Sequence, residues 1–206
     1  MNKTKLKAAE ASFLKRYPEG FDHAEMAALA KKHKMEQMIS MARNSFAKRA
    51  FSDPATVIED MVTMIGKSSM ISMFEKPKFR EFAHSLSSAE ISRLCSGLKL
   101  FLHGDQERGF DDMLQVLQSG KLAKWSLITI VPNYYAPDDE VFVKPTTAKG
   151  IIDWFELKNL KYSPKPSFEF YSEYRRNILD MRKRVRSCLA PNNAAFCGFL
   201  MMSLET

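Results

Sequence analysis

Through its first 120 residues the chain repeats one grammar: a capping or turn signal, apolar residues three or four apart, then a break. That succession confines this part to consecutive short helices. Lys3 to Tyr17 reads as an amphipathic segment closed by Tyr17-Pro-Glu-Gly-Phe21, where proline sets one turn dihedral and Gly20 accepts a positive φ. Asp22 is the expected N-cap of a long helix through Met26, Leu29, His33, Met38 and Phe46, ending near Ala50. Ser52-Asp53-Pro54 starts the next, with Val57, Met61, Met64 and Ile65 at helical spacing. Gly66-Lys-Ser-Ser69 and then Lys76-Pro77 interrupt before a short helix to Leu86. Ser87-Ser-Ala-Glu90 is a capping box, because the serine hydroxyl and the glutamate three residues on can each satisfy the other's backbone donor. Ile91, Leu94, Leu98 and Phe101 form the buried face that follows, and His103-Gly104 ends it. Phe110, Met113, Leu114 and Leu117 mark one more helix, stopped by Gly120.

Beyond that point the pattern changes. Six of the nine prolines lie after residue 130, interleaved with aromatic and polar turn residues from Trp125 to Tyr174, the stretch best suited to carry a recognition surface. Leu127-Ile-Thr-Ile-Val131 and Glu140-Val-Phe-Val143 read as short strands tightly bounded by Pro132 and Pro145. They pair into a two-stranded β-ribbon, or else form an extended loop packed on helices. Thr147 is positioned to cap a helix through Ile151, Ile152 and Phe155; Pro164 and Pro166 stiffen a connector; Ser167 opens a long helix to Leu189. The apolar tail from Ala194 to Leu204 must pack on the body. The expectation is a mainly α fold in one domain spanning 1–206. Its N-terminal two-thirds are helical, followed by an irregular proline- and aromatic-rich segment with room for the ribbon, and a subdomain break falls near residue 120.

Composition narrows the class. A chain with 45% hydrophobic and 27% charged residues has enough apolar surface to fold, and no apolar run approaches the roughly 20 residues that span a bilayer. Met1-Asn-Lys-Thr-Lys-Leu-Lys7 is basic without a following apolar stretch, unlike a secretory signal. Cys95, Cys188 and Cys197 are an odd number without metal-ligand spacing, which fits reduced thiols in the cytoplasm. The net charge of +7 points to an acidic partner, with nucleic acid first and an acidic protein or an anionic surface second, or to solubility alone.

Phe13-x-x-x-Tyr17-Pro-x-Gly-Phe21 followed by Lys31-Lys-His-Lys34 resembles the start of an uncharacterised group of bacterial proteins of about this length. Trp125, Thr129, Pro137, Phe142-Val-Lys144-Pro145, Lys149, Leu160, Tyr162, Pro166 and Tyr171 are similar to that group's second half. No activity is established for the group, so the resemblance implies the domain's extent and no chemistry. Asn192-Asn-Ala-Ala195 departs from it, standing where acidic residues are expected.

Two constellations compete for a function. Pro137-Asp138 followed by Glu156-Leu-Lys158 mimics the acidic pair and lysine of metal-dependent nucleases, in which two carboxylates hold Mg²⁺ and lysine stabilises developing negative charge. That chemistry needs Glu156 and Lys158 on one face of a strand; on a helix they sit about 200° apart, as ordinary solvated charges. The helix opened by Ser167 gathers Tyr171, Tyr174, Ile178, Met181, Val185 and Leu189 on one side. Arg175, Arg182 and Arg186 line the adjacent stripe, widened by Arg176 and Lys183. Such a row can track a phosphate backbone, with Tyr134, Tyr135 and Phe168 as stacking surfaces and Lys144 projecting beside a rigid turn; otherwise it is a solvated basic face, with Asp111, Asp112, Asp138 or Asp139 as its pairing partners. Lys31 to Lys34 wrap around a helix and make no single face. His23, His33, His84 and His103 form no zinc-like pair, and Gly66-Lys-Ser68 lacks the first glycine of a phosphate loop because Met61 occupies it. The methionines from Met35 to Met73 fall near helical spacing, as core packing or as a groove for a partner helix. The leading expectation is a non-enzymatic protein, with no cofactor, no metal and no membrane partner, that binds nucleic acid or another acidic partner.

Overall fold

Asn2 accepts a hydrogen bond from the Lys5 backbone and opens α1 (Lys3–Arg16), which buries Leu6, Ala9 and Phe13. In the computed structural model, which describes residues 1–205, helices follow one another in this way along the chain, and no strand forms among the described residues. After α1 come α2 (Ala24–His33), α3 (Met35–Ser45), α4 (Pro54–Lys67), α5 (Glu75–Ser85), α6 (Ser88–His103), α7 (Gln106–Ser119), α8 (Trp125–Tyr135), α9 (Pro145–Trp154), α10 (Phe168–Arg182) and α11 (Asn193–Met202), with short 3-10 turns between some of them. The fold is mainly α, as the sequence leads one to expect. A single cluster of buried residues runs from α1 to α11, across residue 120.

Many boundaries lie where local chemistry puts them. Ser87 and Glu90 satisfy each other's backbone donors at 3.0 and 3.4 Å, Asp53 caps α4 with Pro54 behind it, and Ser167 caps α10. Gly20 has φ +63 in the turn after α1. The α6–α7 hairpin depends on a second glycine: a Cβ at Gly109 would press into the backbone nitrogen of Phe101 and the carbonyl oxygen of Gly97, so only glycine lets the two backbones approach this closely.

Other boundaries differ from expectation. The long helix from Asp22 to Ala50 is two helices, broken at Lys34 with φ +51, and its N-cap is His23, while Asp22 lies in a 3-10 turn. In one straight helix Met38 would lie about 120° around from Met26, so the break lets both be buried. α2 buries Met26 alone. Pro77 does not interrupt: it sits in the first turn of α5, where its missing N–H has no helical partner to lose. α9 begins at Pro145 behind Lys144, two residues before the anticipated Thr147 cap.

The β-ribbon is corrected outright. Leu127–Val131 belongs to α8, every residue of which from Trp125 to Tyr134 is buried. A helix apolar on all sides shows no period to read. Glu140–Val143 is extended, the alternative to the ribbon, and no second strand pairs with it. Side chains take that strand's place. The Val143 N–H donates to Thr129 Oγ1 at 3.0 Å, and the Val141 N–H to the Tyr171 hydroxyl at 3.3 Å. Asn193 donates from Nδ2 to the Glu140 carbonyl and from its backbone N–H to the Pro137 carbonyl. Asn192 caps α11 through Ala195, so the asparagines that depart from the resemblance hold the C-terminal helix in place.

Candidate nucleic-acid interface

The anticipated basic stripe divides into two groups with different work. Arg175 is only 19% exposed: its guanidinium donates to Glu140 Oε1 at 2.6 Å and to Gln106 Oε1 at 3.0 Å, and stacks 5.3 Å from the Tyr171 ring centre. Glu140, itself buried, also accepts from the Tyr171 hydroxyl and from Gln106 Nε2. Burial, reinforced by the Glu140 charge, holds the Tyr171 phenol far above its ordinary pKa, so it stays protonated as the donor. Arg182 donates to both the carbonyl and the carboxylate of Asp138, to the Ala190 carbonyl and to Asn193 Oδ1. These two arginines bind the extended segment and α11 to α10. Their donors are spent inside the protein.

The outer group faces solvent. Arg176 is exposed and grips Glu173, whose carboxyl falls below its usual range chiefly through that guanidinium. α10 ends at Arg182 instead of continuing to Leu189, so Lys183 caps the helix and Arg186 lies beyond it on an irregular turn. Both are exposed. The Arg186 backbone N–H donates to Glu10 of α1 at 2.7 Å, which brings α1 alongside this exit. Asp180 reports the same neighbourhood. Its carboxyl is held below the ordinary range first by the bidentate Arg184 pair and then by the positive charges of Lys183 and Lys3. Lys7 lies one helical turn from Lys3 and one turn before Glu10, on the face those two define. Lys3, Lys183 and Arg184 thus meet around Asp180, with Lys7 on the same face of α1 and the Arg186 backbone beside Glu10.

Sequence reasoning missed the α1 half of this patch. Its signal was the Lys3–Lys7 spacing, which means little until the face it meets is known. Lys144 stands exposed at the start of α9, at the end of the extended segment. Tyr134 is fully buried and bonded to Ser68 at 2.9 Å, which removes it as a stacking surface.

The nuclease constellation does not assemble. Asp138 pairs with Arg182, whereas Glu156 receives Asn2 and Lys5 from the start of α1. Glu156 and Lys158 follow the end of α9, with Glu156 at φ +53, so neither sits on the strand that would place them on one face. No group of three His, Cys, Asp or Glu side chains among the described residues is arranged to hold a metal ion. Met38, Met61 and Met64 are core residues, Met35, Met41 and Met70 are partly buried against the core, and Met73 is exposed. No helix among the described residues is long and apolar enough to cross a membrane. Compared with known protein families, with curated proteins and with solved structures, the chain matches none.

Proposed function

We propose that this protein is a non-enzymatic, cytoplasmic binder of an acidic polymer, nucleic acid foremost. The contact is the patch of Lys3, Lys7, Lys183, Arg184 and Arg186, with Arg176 at its margin. One observation carries the reading: cations from the two ends of the chain converge on a single surface with a net excess of positive charge, beside a helix whose remaining arginines are consumed internally. Exposed lysine and arginine side chains suit phosphate oxygens and read no base edges, so affinity without sequence preference is expected. Three free cysteines fit a reducing compartment.

The test is fluorescence anisotropy of labelled single- and double-stranded DNA and RNA, titrated at low and near-physiological salt with and without Mg²⁺. Affinity should fall with salt, with a log–log slope of about −0.7 to −0.9 per phosphate contacted. The double variants Lys3→Glu/Lys7→Glu and Lys183→Glu/Arg186→Glu should each weaken binding by roughly tenfold or more. Arg182 is unsuitable for charge reversal, because its substitution would also release Asp138, Ala190 and Asn193. Unchanged binding in both doubles would refute the patch, and Mg²⁺-dependent strand cleavage would overturn the non-enzymatic assignment.

A further inference from the structure

Five large apolar residues are exposed among those described, and two stand apart: Met73 at 82% and Phe74 at 81%. They are adjacent, at the turn that enters α5. This exposure is built, because the segment is fastened on both sides. Before it, the Ser68 hydroxyl meets Tyr134 at 2.9 Å and receives the Met70 N–H, and Ile71 is buried. After it, Glu75 turns inward, accepting from Ser126 Oγ at 3.0 Å and pairing with Lys124 at 3.1 Å. Between these anchors Ser72 accepts the Phe74 N–H at its hydroxyl and the Glu75 N–H at its carbonyl. The backbone is therefore held in a turn that presents both side chains outward.

The surroundings are basic. Phe74, Lys78 and Phe82 recur four residues apart at and along α5, and an open groove of about 510 Å³ beside Lys78 and Phe82 is walled by Gly120, Lys121, Leu122 and Lys124. Among the described residues Lys76, Lys78 and Lys121 have no carboxylate partner of their own, Lys124 is matched by Glu75, and Glu81 is the one acidic residue lining the groove. An apolar pair held outward, followed by Lys76 and Lys78 with Lys121 on the groove that Lys78 also lines, has the form of an interfacial anchor. The apolar tips enter the headgroup–acyl boundary while lysine ammonium groups meet anionic headgroups. A protein partner would have to supply a pocket for two projecting side chains, whereas a bilayer interface accommodates them without one.

We propose that the turn at Met73–Phe74, with Lys76, Lys78 and Lys121 around it, docks peripherally on an anionic membrane surface. This contact is separate from the nucleic-acid patch and does not depend on it. The attachment is weak and reversible, with insertion confined to two side chains.

Co-sedimentation with vesicles of phosphatidylcholine alone, and of phosphatidylcholine mixed with phosphatidylserine, tests it on the full chain. The protein should pellet with the mixed vesicles at low salt and remain in solution with the neutral ones. Met73→Ser/Phe74→Ser and Lys78→Glu/Lys121→Glu should each reduce binding by roughly tenfold. A Phe74→Trp variant should shift its emission to the blue on mixed vesicles, reporting entry of the ring. The proposal fails if the wild type does not bind mixed vesicles at low salt, or if the serine double variant binds as well as the wild type. It also fails if the Phe74→Trp emission stays fixed, or if the tip instead mediates self-association that the serine variant abolishes.

Discussion

The α6–α7 hairpin and the non-helical segment at residues 136–144 are held by opposite means. In the hairpin every determinant is near in sequence or repeats along it: the Ser87–Glu90 box, the apolar stripe of Leu94, Leu98 and Phe101, the stop at Gly104, and the close approach at Gly97 and Gly109. In the segment almost every stabilising partner is distant. Glu140 is held from Gln106, Tyr171 and Arg175, Val143 from Thr129, and Pro137 and Glu140 from Asn193. The hairpin relies on apolar burial with polar groups at its ends. The segment relies on a buried polar network that replaces a missing strand, a higher-stakes solution because each partner is costly to leave alone.

The contrast is sharpest at Glu140. Glu140→Ala strands the Arg175 guanidinium and the Tyr171 hydroxyl and should cost about 3–5 kcal/mol, read by urea denaturation, with Glu140→Gln losing less because it keeps an acceptor. A cost below about 1 kcal/mol would mean that the apolar contacts of Val141 and Val143 hold the segment and the network adds little. In the hairpin the largest effect belongs to packing: Gly109→Ala forces the backbones apart and should cost about 2–3 kcal/mol, a fall in Tm of several degrees by calorimetry. Thr129→Val, nearly isosteric, removes the acceptor of the buried Val143 N–H and should cost about 1–2 kcal/mol; a neutral result would show that the segment does not need its surrogate strand. The smallest effect is Ser87→Ala, about 1 kcal/mol from the lost cap. This last difference depends on pH. The Ser87 hydrogen bonds lower the Glu90 carboxyl pKa in the fold, so the stabilisation is present above the ordinary value of 4.5 and lost as pH falls through the folded value. The gap between wild type and Ser87→Ala should narrow in acid without closing, because the Ser87 hydroxyl still accepts the Glu90 N–H.

The same division decides what could be read from the chain. Ser87, Asp53, Ser167, Gly104 and Gly120 announced their helix ends because a cap is a local event. Two kinds of information were not local. α8 is buried all round and offers no amphipathic period, so an apolar run beside Pro132 looked like a strand. Lys34 gives no composition signal for its left-handed backbone; the break follows from where Met26 and Met38 must be buried. Of the candidate site, the cationic character of α10 was visible, but its allocation was not. Arg175 and Arg176 are neighbours in sequence, yet one is inside a network and the other in solvent. Periodicity gave their angular positions and could not say which angle faces Glu140, a residue 35 positions away.

The Glu140 network also bears on the order of events in folding. Its side-chain contacts join residues 31 to 35 positions apart, with one link from Gln106 to Arg175 spanning 69, and Asn193 reaches the Glu140 carbonyl across 53. Loop-closure entropy must be met before such contacts return anything, whereas the hairpin nucleates on neighbours. The network is therefore expected to close after the rate-limiting step, so that Glu140→Ala should accelerate unfolding and leave the refolding rate nearly unchanged in stopped-flow urea jumps. Glu140 and its partners then set how long the native state persists more than how quickly it is reached.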